Sequence, residues 1–187
     1  VTCMPSHNPF EIAHRIAQLD HMAKGRFNWG IGSGGFPGDF TVFGFDPKTG
    51  EQRSMTRDAI DLVLQMWEDP KPGLYEHKHW RFTIPEPQDE IGLRYHVKPY
   101  QKPHPPIWIG GHTGPAIRRA AAYGDGWMPT GLRPPAILDP EELSEKIARL
   151  RKLTVEAGPP EDAGAVTTST PDMAHDAPSH RTRACRA

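Results

Sequence analysis

Two short stretches hold the residues best suited to chemistry. In Gly110-Gly111-His112-Thr113-Gly114-Pro115, a histidine and a hydroxyl stand among small residues, directly after the apolar triplet Ile107-Trp108-Ile109. A turn that leaves a strand and opens a helix presents unpaired N–H groups and the positive end of the helix dipole, which favours a phosphate. Thr113 adds a hydroxyl donor. An ordinary helix cap uses the same residues, so the turn alone leaves both readings open. In Gly32-Ser33-Gly34-Gly35, only the smallest side chains follow another apolar run. Glycines there let a ligand approach the backbone, although a tight turn needs them too. Ser6 and Thr130 stand at the ends of two further strand-like runs, where a hydroxyl can reach a ligand. No residue presents itself as a general base.

Other polar groups carry less. His77-Lys78-His79 puts two rings on one side of a strand, but no third ligand is evident, so a solvated face is expected and no metal. Asp20-His21 reads as a helix-end pair or a subunit contact. Arg118 and Arg119 read as helix-surface charges, with Arg118 one turn from the phosphate-like turn. Trp29, Trp67, Trp80, Trp108 and Trp127 read mostly as core.

The elements that must position these residues follow from periodicity. Val1 to Met4 reads as a strand end. Asn8 as N-cap, Pro9 at N1 and Glu11 closing a capping box open a helix with Ile12, Ala13, Ile16, Leu19 and Ala23 on one face, and Gly25 stops it. A strand is predicted over Arg26–Ile31, then the glycine turn and an aromatic-containing loop. A helix is predicted from about Met55 to Trp67. The stretch 74–101 is an excursion with short β pieces. Then come the strand Ile107–Ile109, a helix over about Ala116–Tyr123, a strand starting at Trp127-Met128, a loop from Pro129, and an amphipathic helix Glu141–Ala157 with Leu143, Ile147, Leu150 and Leu153 inward. Alternation of strands and helices implies a parallel sheet in an α/β fold. About four strands in 187 residues fall short of the ~250 residues of a closed eight-stranded barrel. The pattern therefore predicts a partial (β/α)8 TIM barrel over 1–157. The segment 158–187 lacks Leu, Ile, Phe, Trp and Tyr and is predicted to be a disordered or non-homologous tail.

A formal net charge of −1 gives no basic footprint, so no nucleic-acid partner is expected. No apolar run is long enough for a membrane span. The N-terminus has no basic n-region and no apolar h-region, and Cys3 and Cys185 at opposite ends form no disulfide framework, so a cytoplasmic location is expected.

Three blocks in order resemble one family. HNPFEIAHRIAQLDHMAKGRFNWGIGSGG resembles the segment of luciferase-like, flavin-dependent monooxygenases from the end of their third barrel strand into their fourth. DFTVFGFDP resembles the loop that follows, and KPHPPIWIGGHTGPAIRRAAAYGDGWMP resembles their fifth strand, phosphate turn and sixth strand. The resemblance covers roughly Val1 to Thr130. It implies a TIM barrel of which this chain holds strands three (its end) to six, with the remaining strands absent.

The resemblance also implies a flavin site. Gly111, His112, Thr113 and Gly114 would hold the flavin phosphate, Gly32 and Ser33 would lie beside the flavin at the fourth strand's end, and Ser6 and Thr130 would line the same mouth. Where bacterial luciferases carry a reactive cysteine and a phosphate-binding arginine, this chain has Gly32 and Ser33. That departure argues against light emission and leaves phosphate binding to backbone groups. The implied activity is monooxygenation of a small organic substrate by oxygen and reduced FMN from a partner flavin reductase, with the full-length form a homodimer. A deazaflavin used for hydride transfer is the alternative cofactor. A third reading is a truncated, non-catalytic barrel piece, whose open sheet edges would leave it poorly folded or oligomeric, with weak flavin affinity.

Overall fold

The computed structural model describes residues 1–158, apart from 36, 47, 95–97, 131, 134 and 135. Gly131 and the tail from 159 onward, with Cys185, lie outside the described residues. The chain divides into two compact units, with the boundary between Gly110 and Gly111.

The first unit begins with strand β1 (Thr2–Cys3) and a 3-10 turn, Met4–Ser6. Helix α1 (Pro9–Ala23) starts where the sequence signals placed it. The Asn8 carboxamide oxygen accepts the Phe10 N–H at 2.9 Å, but no capping box forms, because Glu11 turns to pair with Arg15 one helical turn on. At the other end Lys24 itself takes the left-handed conformation (φ 52°), followed by Gly25 at φ 79°, whose N–H returns to Asp20 O at 3.1 Å. Arg26 then donates twice to Ala23 O, from its backbone N–H and from Nε. That use of residue 26 delays strand β2, which runs Trp29–Gly32 rather than Arg26–Ile31.

The stretch after the glycine turn contains helix α2 (Pro37–Phe43), where the sequence was read as loop. Val42 and Phe43 are exposed on it, so no buried periodic face announced it. Helix α3 (Glu51–Glu68) begins four residues before the predicted start, because Gly50 adopts φ 71° and Thr49 Oγ1 accepts the Glu51 N–H at 3.2 Å. The excursion folds as an antiparallel hairpin, β3 (Gly73–Glu76) with β4 (Arg81–Ile84). His77 and His79 fall in its turn, closed by His77 N–H to Trp80 O at 2.9 Å, so they do not share a strand face. His79 is buried against α3, its Nε2 2.8 Å from Ser54 Oγ and its Nδ1 3.6 Å from Glu51 Oε1.

Strand β5 (Ile107–Gly110) pairs in parallel with β2, as β2 does with β1, with Thr2 opposite Ile31 and Trp29 opposite Ile107. Ile31, Ile107 and Ile109 are fully buried from the sheet, and Ile12, Ile16, Ile60 and Val63 meet the core from α1 and α3, which pack together. Burial of side chains of this size contributes about 1.5–3 kcal/mol each. The indoles are pinned as well as packed: Trp29 Nε1 donates to Thr2 Oγ1 at 3.1 Å, and Trp67 Nε1 to Ala13 O at 3.1 Å.

Asp20 is a helix-end partner, as one of the two sequence readings had it. Its side chain is fully buried, and its two oxygens accept the Gln101 N–H and the Gln101 side-chain amide, each at 2.7 Å. Both carboxyl oxygens thus serve as acceptors. Asp20→Asn turns an NH2 toward one of those donors, and is expected to destabilise the protein by about 2 kcal/mol in a urea titration. An unchanged midpoint would remove Asp20 from the account of how the α1 end is held.

The second unit carries helix α4 (Gly114–Tyr123), strand β6 (Gly126–Met128), a short antiparallel pair β7 (Leu132–Arg133) and β8 (Ala136–Ile137), and helix α5 (Pro140–Ala157). The α4 and α5 helices pack together. Asp139 caps α5 by accepting the Glu142 N–H at 2.8 Å. Leu150 is buried on α5, while Leu143, Ile147 and Leu153 are half-buried.

Candidate functional site

The turn that opens the second unit is held from one side by β6. Gly111 N–H donates to Met128 O at 2.9 Å, and Gly111 O accepts the Trp127 indole N–H at 2.7 Å. Gly111 sits at φ 104°, and a Cβ there would come within 3.3 Å of the Ala116 Cβ. The positive φ strains any side chain, and the close Ala116 methyl leaves it little room. The Gly111 amide is already committed, so this residue supplies clearance and not a donor.

Free donors come from the next residues. Thr113 is the N-cap of α4, but its hydroxyl caps nothing and is exposed. The N–H groups of the first helical turn have no partner within the helix, and Pro115 has none to offer. His112 is half-buried and its Nδ1 is fully enclosed without a hydrogen-bond partner. A buried polar atom left unpaired costs about 1–3 kcal/mol.

Two cations flank the same point. A Cβ built on Gly114 would lie 3.6 Å from Arg118 Nη1 and 3.8 and 3.9 Å from Arg149 Nη2 and Nη1. Neither guanidinium has a carboxylate partner among the described residues. The sequence offered Arg118 by its place one turn into α4. Arg149 comes from the middle of α5, and only the packing of the two helices reveals it. Arg119, read as a surface charge, is instead buried, because it falls on the face with Ala116 and Ala120. Thr130 is exposed just beyond β6.

The first unit has further polar groups after β2 and around the first turns of its helices. Ser33, just after β2, is half-buried with Oγ enclosed and unpaired. Gly32 ends β2, and a Cβ on it would be 3.0 Å from the Val1 side chain. Gly34, at φ 83°, lies beside Cys3, whose Sγ is 3.1 Å from the position of a Cβ. Ser6 belongs to the 3-10 turn rather than to a strand end. Its hydroxyl turns back to Cys3 Sγ at 3.4 Å, a weak acceptor. Gln52, on the first turn of α3, was not singled out in sequence. It is buried, and its Oε1 has no partner. Among the described residues, no group of three His, Cys, Asp or Glu side chains is arranged to hold a metal ion. No helix there is long and apolar enough to cross a membrane.

Comparison with known proteins fixes the lineage. The profile of the family described as luciferase-like monooxygenase matches residues 1–186. The 4-hydroxyprotoasukamycin monooxygenase of Streptomyces nodosus subsp. asukaensis is 28% identical over 135 residues, covering 72% of this chain and 34% of that protein. The chain thus spans about a third of the length of that relative. Two solved structures share the fold. One is the oxygenating constituent of 3,6-diketocamphane monooxygenase from Pseudomonas putida, a type II Baeyer–Villiger monooxygenase in complex with FMN, at TM-score 0.68 and 23% identity over 84% of this chain and 42% of that one. The other is an F420-dependent secondary alcohol dehydrogenase in complex with an F420–acetone adduct, at TM-score 0.67 and 23% identity over 84% of this chain and 44% of that one. The parallel sheet, the strand–turn–helix block at 107–123 and a profile match over nearly the whole chain together establish that this chain belongs to the luciferase-like monooxygenase family.

Proposed function

We propose that this chain is the phosphate-turn portion of a flavin-dependent monooxygenase that uses reduced FMN and oxygen on a small organic substrate. The observation that carries the reading is the α4 start: a helix N-terminus with an exposed, uncommitted Thr113 hydroxyl, flanked by two guanidiniums that have no carboxylate partner among the described residues. The group expected from the family fits these residues. His112, Thr113 and Gly114 would hold its phosphate through backbone N–H groups and the Thr113 hydroxyl, Gly111 would give clearance, and Thr130 would stand at the rim of the turn. In the first unit, Gly32 and Ser33 are the proposed contacts at the end of β2, with Ser6 close to β1. Reduced flavin, when bound, supplies the electrons that activate oxygen; the protein's part is to orient it and exclude water. A flavin reductase as electron source and a homodimeric full-length form belong to the same proposal.

A deazaflavin is the second cofactor reading. It is favoured by the near-equal structural likeness to the F420-dependent dehydrogenase. Fluorescence titration of the chain with FMN tests the first reading, and oxygen uptake by a full-length form supplied with reduced FMN tests the chemistry. Saturable FMN binding with uptake under turnover is expected. Binding of the deazaflavin alone, with no oxygen consumed, would transfer the proposal to hydride transfer.

A further inference from the structure

We infer that Arg149 makes the α4 turn selective for a phosphate monoester, so that the terminal phosphate of FMN is preferred over a phosphodiester. The inference rests on the flavin reading above. Arg149 lies on α5, and both its Nη atoms come within 4 Å of a Cβ position on Gly114, the first residue of α4. Arg118 Nη1 reaches the same point from α4 itself. Neither side chain is engaged by a carboxylate among the described residues, although α5 also carries Glu141, Glu142, Glu145 and Glu156. Glu142 is drawn instead to Lys146 at 3.0 Å, and Glu156 to Lys152 at 3.9 Å. Two positive charges, neither in an ion pair among the described residues, therefore lie beside a helix start that already favours an anion.

The charge count discriminates between phosphates. A monoester carries about −1.5 to −2 at pH 7, its second pKa lying near 6, and offers three terminal oxygens. A diester carries one charge and two such oxygens. Two guanidiniums, each a planar fork of donors, match the first better than the second. A single cation with the helix start would suffice for the diester, so the second arginine is what favours the monoester.

The test uses the full chain and three probes with one ring system: FMN, its phosphate methyl ester, and riboflavin, each titrated by flavin fluorescence. The wild type is expected to bind FMN at least roughly tenfold more tightly than the methyl ester. Arg149→Ala is expected to weaken FMN about tenfold and erase most of the preference, with riboflavin binding unaffected as the control for folding. Arg149→Lys, which keeps the charge without the fork, should fall between. If Arg149→Ala keeps the FMN-to-ester ratio, or weakens FMN and riboflavin alike, the inference is wrong while the flavin reading stands. If the wild type binds none of the three, both are overturned together.

Discussion

Gly114→Asp is expected to stabilise the protein and at the same time to weaken FMN binding roughly a hundredfold. Gly114 is the first residue of α4 and its φ lies outside the left-handed region, so an ordinary side chain is tolerated. The nearest atom to the new Cβ is Arg118 Nη1 at 3.6 Å, which is ordinary van der Waals contact. The aspartate carboxylate would sit between Arg118 and Arg149 and over the helix start. Removing glycine from a helix is worth about 0.5–1 kcal/mol, and a negative charge at the N-terminus about 0.3–1 kcal/mol. A net gain of about 1 kcal/mol is expected in chemical denaturation, screened partly by salt because both arginines are exposed. The same carboxylate occupies the anion position and repels the incoming phosphate. Loss of two charge-assisted contacts, about 2.7 kcal/mol in all, corresponds to roughly a hundredfold in FMN affinity. Opposite signs in the two assays are the signature of a ligand position. A variant that lost stability and binding together would mark Gly114 as a packing residue only.

Gly124→Ala is expected to be the most destabilising small change in the second unit. A Cβ on Gly124 would lie 2.7 Å from Ala120 O and 3.1 Å from Gly126 O. Both are backbone atoms, so no side-chain rotation relieves the clash. Ala120 O also accepts the Gly124 N–H at 2.9 Å, closing the end of α4. Relief requires moving the turn into β6, and with it Trp127, whose indole holds Gly111 O. Overpacking of this kind costs about 1–3 kcal/mol, and the rigid neighbours place this case at the upper end. Flavin binding should fall along with stability, because Gly111 loses its anchor. A thermal melt unchanged by the substitution would show that the turn relaxes freely.

The block from Ile107 to Tyr123 was legible in sequence because each signal is local. A proline-rich lead, an apolar triplet, two glycines and a proline two residues into the helix all lie within one turn of the group they position. The α1 start at Asn8 was legible for the same reason. What was lost depended on contacts distant in the chain or on exposed faces. Arg149 reaches Gly114 only because α4 and α5 pack together. Gln52 is buried only because α3 starts early, at Glu51, and packs on the Met4–Ser6 turn. The α2 helix has no buried stripe to read, and β2 starts late because Arg26 is used in closing α1. His77 and His79 alternate like strand residues, yet they form a hairpin turn. The Ser6 hydroxyl turns to Cys3 Sγ and the Gly111 amide to Met128 O, bonding that no local pattern announces.

The central claim is that the start of α4 receives a flavin phosphate. Titrating the full chain with FMN and with riboflavin, at low and at high salt, tests it most directly. Saturable FMN binding that exceeds riboflavin binding, with the difference shrinking as salt rises, is the expected result. Equal affinity for the two flavins, unaffected by salt, would contradict it.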